Sequence, residues 1–261
     1  MSQAKRIPTW LKFVPLFVFL IFWELSATSI ERGVFFFGSP STVGKFLWIK
    51  TMDGSLPYDM GITLYETVLG FIIGNIVGSV IGMGLWYFPR LSQVSKPYIT
   101  AFGSIPIFAV SPIIIIWFGI GLKSKVILAG LSTVVVSIVQ AYEGATQTDQ
   151  KLIDLLLSMG ASKFITFKKV VVPSTLAWLL AGYKMNVGFA LLGAFIGEFI
   201  SSEAGLGHMI IQAMGLFNIP LVLAGVVGIC ILSLVLIKCV GLLQSRLMPW
   251  LEKMEEIKDA S

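Results

Sequence analysis

The chain has 261 residues, of which 56% are hydrophobic and only 13% are charged, and its mean hydropathy is +0.89. Soluble domains carry about a quarter charged residues, so this composition excludes an ordinary soluble enzyme and predicts a protein that lies in a bilayer. The formal net charge of +5 is accounted for by basic residues held in cytoplasmic loops, without a nucleic-acid partner.

Six segments are apolar enough, and close enough to about 20 residues long, to cross a bilayer as helices. They are Leu11–Thr28, Ile62–Phe88, Tyr98–Phe118, Val126–Tyr142, Thr175–Ile200 and Leu221–Leu243. The sequence therefore predicts an all-α membrane protein, a single domain over 1–261 with six transmembrane helices and a polar loop at 143–173. The first segment is also compatible with a cleaved signal peptide, because basic residues precede it and small residues follow it.

Basic residues predict how the spans are oriented, because loops on the cytoplasmic side are enriched in Lys and Arg. With the N-terminus in the cytoplasm, the loop at 201–220 lies outside and has neither residue type. The basic residues left outside are Arg32, Lys45, Lys50, Lys123 and Lys125. We expect both termini inside, a solvated outer loop at 29–61, and a solvated charged tail after Trp250.

The second predicted span carries a stripe of glycines. The glycines follow one another at intervals of four residues, at Gly70, Gly74, Gly78 and Gly82. On a helix each glycine is displaced by only about 40° around the axis from the one before it. Small residues on one helix face let a second helix approach closely in lipid. The stripe is therefore predicted to be a helix-packing surface.

Two prolines lie in the third predicted span, at Pro106 and Pro112. Proline removes a helical hydrogen bond and bends the helix. The freed carbonyls are tolerated at membrane depth only against protein or a watery cavity. Two interpretations stay open, a mere kink and a segment that lines a pathway.

No catalytic, cofactor or metal site is predicted. Gly119–Ser124 resembles a phosphate loop at first sight, but Leu122 stands where that loop needs a glycine before its lysine. Cys230 and Cys239 are nine residues apart, which puts them on opposite helix faces, and His208 is the single histidine.

Three carboxylates lie in or near the spans, namely Glu24, Glu66 and Glu198. An ionisable residue inside a membrane is by default a functional candidate. All three fall near predicted helix ends, which favours solvation at the interface over an intramembrane role.

The polar loop has an amphipathic pattern. Asp149 can cap a helix whose apolar residues Leu152, Leu155, Leu156 and Met159 have helical spacing. Gly160 is placed to end that helix in a left-handed conformation.

A second short helix is predicted after this turn, capped by Ser162 and running to Pro173, where the fifth span begins. The apolar face of the first short helix must be buried against something. The membrane surface and a groove on a partner protein are the alternatives.

The order Glu143-Gly144-Ala145, then Gly160-Ala161-Ser162, then Pro173 resembles the EAA loop of ABC-importer permeases. This chain departs from that loop at Gly144, where the family has alanine, and in the valines before Pro173. Four further stretches, SPSTV, TLYETVLGF, IPIFAVSPIIIIWFGIG and GLGHMI, are similar to the nitrate, sulfonate and taurine branch of these permeases.

The resemblance implies a type I importer architecture, in which two permease copies pair around a central pathway in the bacterial inner membrane. Two separate ATPase subunits would bind below and hold ATP and Mg²⁺, while this chain holds no cofactor. A periplasmic or lipid-anchored binding protein would deliver the solute from outside. The chain itself would be a transport subunit and no enzyme.

The resemblance also implies roles for single residues. The loop residues that would couple this chain to the ATPase are Glu143, Gly144, Ala145, Asp149, Leu152, Leu155, Leu156, Met159, Gly160, Ala161, Ser162 and Pro173. Glu198, Gly205 and Gly207 would form an outer gate or a contact for the binding protein, with Glu203 as a second choice for the glutamate.

The expected solute is a small anion such as a sulfonate, taurine, nitrate or bicarbonate. The alternative is a vitamin precursor, either a pyrimidine or a flavin. A stand-alone secondary transporter is a rival interpretation, but it would have no use for the amphipathic loop.

Overall fold

The computed structural model describes Leu11 and residues 13–248. Basic residues before the first span (Lys5, Arg6 and Lys12) and the charged tail after Trp250 lie outside the described residues. Within the described part the chain is helical throughout, in agreement with the all-α prediction.

The helices are α1 (Val14–Ser29), α2 (Gly33–Phe37), α3 (Pro40–Met52), α4 (Ser55–Tyr87), α5 (Pro89–Gly103), α6 (Ile107–Phe118), α7 (Leu122–Thr146), α8 (Gln150–Ser158), α9 (Lys163–Thr166), α10 (Val172–Ile200), α11 (Leu206–Gly215) and α12 (Ile219–Leu247). A π-helix at Phe167–Val171 joins α9 to α10.

Among the described residues, four helical stretches are long and apolar enough to cross a membrane, and a bent pair of helices makes a fifth. The four are Ser55–Tyr87, Leu122–Thr146, Lys163–Ile200 and Ile219–Leu247. The first of the six predicted spans is α1, which has 16 residues and is shorter than the ~20 that a bilayer requires.

The third predicted span is the bent pair. Helices α5 and α6 meet at 91°, with Pro106 at the start of α6, so the predicted bend is confirmed there. Pro112 lies inside α6 without a break, because the hydroxyl of Ser111 donates to the carbonyl of Phe108 at 2.7 Å. That carbonyl is four residues before Pro112 and is the one that proline leaves unbonded.

The second short helix continues into the fifth span without a break. Together they form one helical stretch, Lys163–Ile200, of 38 residues, in which α10 begins at Val172 and Pro173 lies in its first turn. The π-helix ends two residues before Pro173. A π-helical turn changes the local hydrogen-bond pattern, which accommodates a residue that has no N–H to donate.

The predicted outer loop at 29–61 is mostly helical, and most of its residues are exposed. Ser39 caps α3 through a reciprocal capping box with Thr42. Glu24 on α1 accepts hydrogen bonds from the backbone N–H and the hydroxyl of Ser41, at 2.9 and 2.7 Å. Glu24 therefore ties α1 to the N-terminus of α3.

Helices α4, α7 and α10 form the centre of the molecule. The glycine stripe of α4 lies against α7, as predicted. A Cβ atom on Gly70 would collide with Ala129, and one on Gly74 would collide with Thr133. The same holds for Gly78 against Ser137 and for Gly82 against Ile138 and Ala141. All four positions of the stripe are thus needed for close helix approach.

Candidate functional site

The loop helix α8 has the local structure that the sequence predicts. The carboxylate of Asp149 accepts from the backbone N–H of Lys151 at 2.9 Å. Gly160 has φ +81°, and the N–H of Ala161 donates to the carbonyl of Leu156 at 3.0 Å, which is the bond that closes a helix at a left-handed glycine. Ser162 caps the next turn by accepting from Ile165 at 3.4 Å.

One side of α8 is exposed and the other is buried. Leu152, Leu155 and Met159 are 48%, 56% and 74% exposed, while Leu156 is half-buried. Ile153, which the sequence analysis did not single out, is only 8% exposed. Three of the four predicted anchor residues therefore form an apolar face that no described residue covers.

The buried side of α8 rests on the ends of two spans. Ile153 forms a small core with Ala145 at the end of α7 and Val171 in the π-helix, and Trp86 and Phe167 pack against it. The helix is therefore held firmly on the membrane bundle through this core.

The Glu143-Gly144-Ala145 motif lies in the last turns of α7 and not in the loop where the sequence analysis placed it. A Cβ atom on Gly144 would lie 2.9 Å from the ring of Trp178, which accounts for glycine where the family has alanine. The carboxylate of Glu143 is exposed and has no hydrogen-bond or ionic partner among the described residues.

A carboxylate cluster lies at the opposite end of the bundle. Glu198 is fully buried and accepts from the hydroxyl of Thr63 and from the N–H of Gly207, both at 2.7 Å. The N–H of Leu206 donates to Thr63 at 2.9 Å, and that of Gly205 donates to Asp59 at 2.9 Å. Glu198 thus fixes the N-terminus of α11 to α4 and α10.

Two glycines at the start of α11 are both required for its close contact with Glu198. Gly205 has φ +107°, and a Cβ atom there would collide with the carboxylate of Glu198. A Cβ atom on Gly207 would lie 2.8 Å from the Cβ atom of Glu198. The three residues that the family resemblance grouped are thus in contact with one another.

Solvation at the membrane interface was the wrong interpretation for two of the three glutamates. Glu66 is 2% exposed and Glu198 fully buried, since helices from other parts of the chain cover them. One oxygen of Glu66 has no hydrogen-bond partner among the described residues. Lys125, assigned to an outer loop, lies near them and is only 3% exposed.

A second polar cluster, missed by the sequence analysis, joins the three central helices. The amide of Asn186 on α10 donates to Asn75 on α4 at 2.6 Å and to Ser137 on α7 at 3.1 Å. Ser137 also donates to Asn75 at 2.6 Å, and Gln140 exchanges hydrogen bonds with Asn186. Polar residues inside apolar spans are the signal that could have revealed this cluster.

A cavity of about 310 Å³ lies beside the bend between α5 and α6. Its walls come from α5, α6, α7 and α10, and its lining residues are Phe102, Gly103, Ile105, Ile107, Val110, Leu131, Ser132, Val135, Val136, Phe189 and Leu192. No charged side chain is among them.

The sequence of this chain was compared with those of known protein families. Residues 67–253 match the family of binding-protein-dependent transport system inner membrane components. The chain belongs to this family. It is therefore the membrane-embedded, multi-pass permease of an ABC importer, a transport subunit and not an enzyme, as the EAA-type loop indicated.

Two relatives and one solved structure are similar to this permease over most of its length. It is 32% identical over 237 residues to the riboflavin transport system permease protein RibX of Chloroflexus aurantiacus, covering 91% of this chain and 88% of RibX. It is 26% identical over 234 residues to the taurine transport system permease protein TauC of Escherichia coli, covering 88% and 85%.

The solved structure is an inward-facing conformation of the MetNI methionine ABC transporter. One of its chains matches this permease with a TM-score of 0.64 and 18% identity, over 77% of this chain and 97% of that chain. At this level of identity the likeness shows the fold, and the fold is that of a type I importer permease.

Proposed function

We propose that two copies of this permease pair around a solute pathway, and that each receives an ATPase subunit on the exposed face of α8. The observation that carries the proposal is the two-sided burial of this helix. Ile153 anchors α8 to the bundle, while Leu152, Leu155 and Met159 stay exposed on the other side. Apolar faces of short helices bind in grooves on partner proteins.

The membrane surface is a less suitable partner for this face. Lys151 and Asp154 are exposed on the same nine-residue helix, and Ile153 attaches α8 to the ends of α7 and of the π-helix. An interfacial helix needs a wide apolar face that can sink into lipid. A groove on a protein accepts three projecting side chains between charged neighbours.

ATP and Mg²⁺ belong to the partner ATPases in this proposal, and the permease holds no cofactor. Loop residues Gly160, Ala161 and Ser162 fix where α8 stands. Glu143, Gly144 and Ala145 lie in the last turns of α7, and Pro173 lies in the first turn of α10, on either side of the loop. Gly144 allows Trp178 of α10 to pack closely against α7 there.

The orientation of the permease in the membrane follows from the proposed docking of the ATPase on the exposed face of α8. In this proposal the end of the bundle that carries α8 faces the cytoplasm, where ATP is available. Both termini are then expected on the cytoplasmic side of a bacterial inner membrane. Glu198, Gly205 and Gly207 then lie at the outer end. There they close the bundle with α11, next to where a periplasmic or lipid-anchored binding protein would release its solute.

For the solute, the cavity at the α5–α6 bend favours a flat, weakly charged molecule. Its lining is apolar apart from Ser132 and backbone groups, with aromatic side chains at Phe102 and Phe189. A cavity with a basic residue would suit a small anion better. A flavin or pyrimidine is therefore the preferred class, and RibX is named for riboflavin; a small anion such as taurine is the second candidate, after TauC.

The test of ATPase docking uses tagged permease co-expressed with its ATPase. Leu155→Asp combined with Met159→Asp is expected to abolish co-purification of the ATPase while the permease stays in the membrane. Leu157→Asp is the matched control, because Leu157 is 46% exposed but lies about 200° around the helix from Leu155. Normal co-purification of the double variant contradicts the proposal.

The solute class is tested on the complete importer in proteoliposomes. Uptake of labelled riboflavin and of labelled taurine is measured with ATP inside and with the binding protein outside. Uptake of the flavin supports the preferred class, and uptake of taurine alone supports the anion. Uptake that needs an ion gradient and no ATPase would contradict the whole assignment.

A further inference from the structure

The inner end of α4 is held by a lysine from the segment that follows α8. Lys163 donates to the backbone carbonyl of Tyr87, the last residue of α4, at 2.6 Å. Its ammonium group also lies 4.7 Å from the centre of the Tyr87 ring. The last carbonyls of a helix have no partner of their own and carry partial negative charge, so this contact satisfies one of them with a cation.

The position of Lys163 is not explained by its own helix. It is the first residue of the stretch that runs to Ile200, where the helix dipole disfavours a positive charge. The carbonyl and ring of Tyr87 offset that repulsion. Lys168 and Lys169, in the same segment, have no such contact among the described residues.

An aromatic stack joins the same two elements. Phe167, the first residue of the π-helix, stacks on Trp86 with ring centres 5.8 Å apart and planes at 21°. It also meets the Tyr87 ring edge-on, with centres 5.3 Å apart. Phe167 and Trp86 both pack against the core that contains Ile153.

We propose that Lys163, Phe167, Trp86 and Tyr87, together the α4 clamp, transmit the movement of α8 to α4. The proposal rests on the proposed docking of the ATPase to α8. The loop leads directly into α10 through one helical stretch, so α10 follows α8 without help. Helix α7 also leads into α8, across residues 147–149, and α4 packs along α7 through the glycine stripe, so the chain links α4 to α8 only indirectly. The clamp adds a direct contact at the inner end of α4.

Lys163 and Phe167 are thus positioning residues for transport, and they have no part in holding the ATPase. Loss of the clamp leaves α4 linked to α8 only through α7, so ATP hydrolysis continues while α4 no longer moves in step with α10. The expected signature is hydrolysis without a matching amount of solute moved. A role in folding alone would lower both quantities in proportion.

The experiment measures solute moved per ATP hydrolysed by the complete importer in proteoliposomes. For Lys163→Met we expect this ratio to fall about fivefold or more, the lower end of typical coupling between sites, with normal co-purification of the ATPase. Lys163→Arg keeps a cation that can donate to the carbonyl and stack on the ring, and it is expected to restore most of the ratio. Lys168→Met is the matched control and is expected to keep the ratio.

Phe167→Leu is the second variant. It removes the ring and keeps an apolar side chain of similar size, so the bundle is expected to fold and the ratio to fall as it does for Lys163→Met. An unchanged ratio in both variants would overturn the proposal, as would loss of the ATPase from Lys163→Met. Failure of the docking proposal is seen separately, as retention of the ATPase by the Leu155→Asp and Met159→Asp double variant.

Discussion

The backbone N–H of Gly207 donates to the buried carboxylate of Glu198 at 2.7 Å, although the two residues belong to different helices. The bond places a negative charge at the N-terminus of α11, where helix dipole and free N–H groups favour it. With the second oxygen bonded to Thr63, one carboxylate holds α11, α10 and α4 together. Glu198 is therefore the one side chain of this cluster that bonds to both α4 and α11.

Glu198→Gln tests these contacts. The amide keeps the shape but loses the charge, and it presents a donor where the carboxylate accepted two hydrogen bonds. Hydrogen bonds to charged groups contribute about 1.5–3 kcal/mol each, so we expect a marked fall in the thermal stability of the purified permease and a loss of uptake. Glu203→Gln is the control, since Glu203 is exposed in the turn between α10 and α11. Equal behaviour of the two variants would disprove the role of Glu198.

Gly74→Ala tests the contact between α4 and α7. The new methyl group would collide with Thr133 and with the backbone of Gly130, and overpacking of this kind costs about 1–3 kcal/mol. Gly84→Ala on the same helix meets nothing within 4 Å and is expected to be neutral. Thermal unfolding in detergent measures both. A stable Gly74→Ala variant would mean that the helices are further apart than described.

Asn75 and Asn186 allow a double-mutant cycle across the polar cluster. Each single change to Ala leaves buried polar partners unsatisfied, at about 1–3 kcal/mol per group. The second change then removes a group that has already lost its partner. We expect the double variant to be more stable than the sum of the single losses predicts, by about 0.5–3 kcal/mol. Additive losses would show that the amides do not act together.

Gly160→Val tests the left-handed turn. Nothing lies within 4 Å of a Cβ atom at Gly160, so the cost is backbone strain alone, about 1–2 kcal/mol for a residue with a side chain. We expect Gly160→Val to lower uptake and Gly160→Asn to lower it less, because asparagine tolerates this conformation. Gly121→Val is the control: it too has open space, with φ −68°. Full uptake by Gly160→Val would contradict a role of this turn in coupling ATP hydrolysis to transport.

The features that the sequence predicted well are those fixed by neighbouring residues. The cap at Asp149, the turn at Gly160 and the four-residue glycine spacing each depend on a few adjacent positions. The family resemblance added the grouping of Glu198 with Gly205 and Gly207, which lie within ten residues of one another along the chain. Short-range chemistry of this kind can be read from one sequence.

Features that depend on distant residues were mispredicted or missed. Glu66 and Lys125 lie near the ends of apolar segments, and only the packing of α4, α7 and α10 shows that they are buried. The contact between α1 and α3 depends on Glu24 and Ser41, which are 17 residues apart along the chain. The length of the fifth span depends on a π-helix, for which the sequence has no strong local signal.

The amide of Asn186 also bears on how the protein is made. Helices α4 and α7 are synthesised before α10, so the partners of Asn186 are already present in the membrane when α10 leaves the ribosome. An amide that enters lipid without hydrogen-bond partners raises the free energy of inserting its helix. Asn75 and Ser137 precede Asn186 in the membrane, so the order of these helices along the chain lets the last of them insert next to its hydrogen-bond partners.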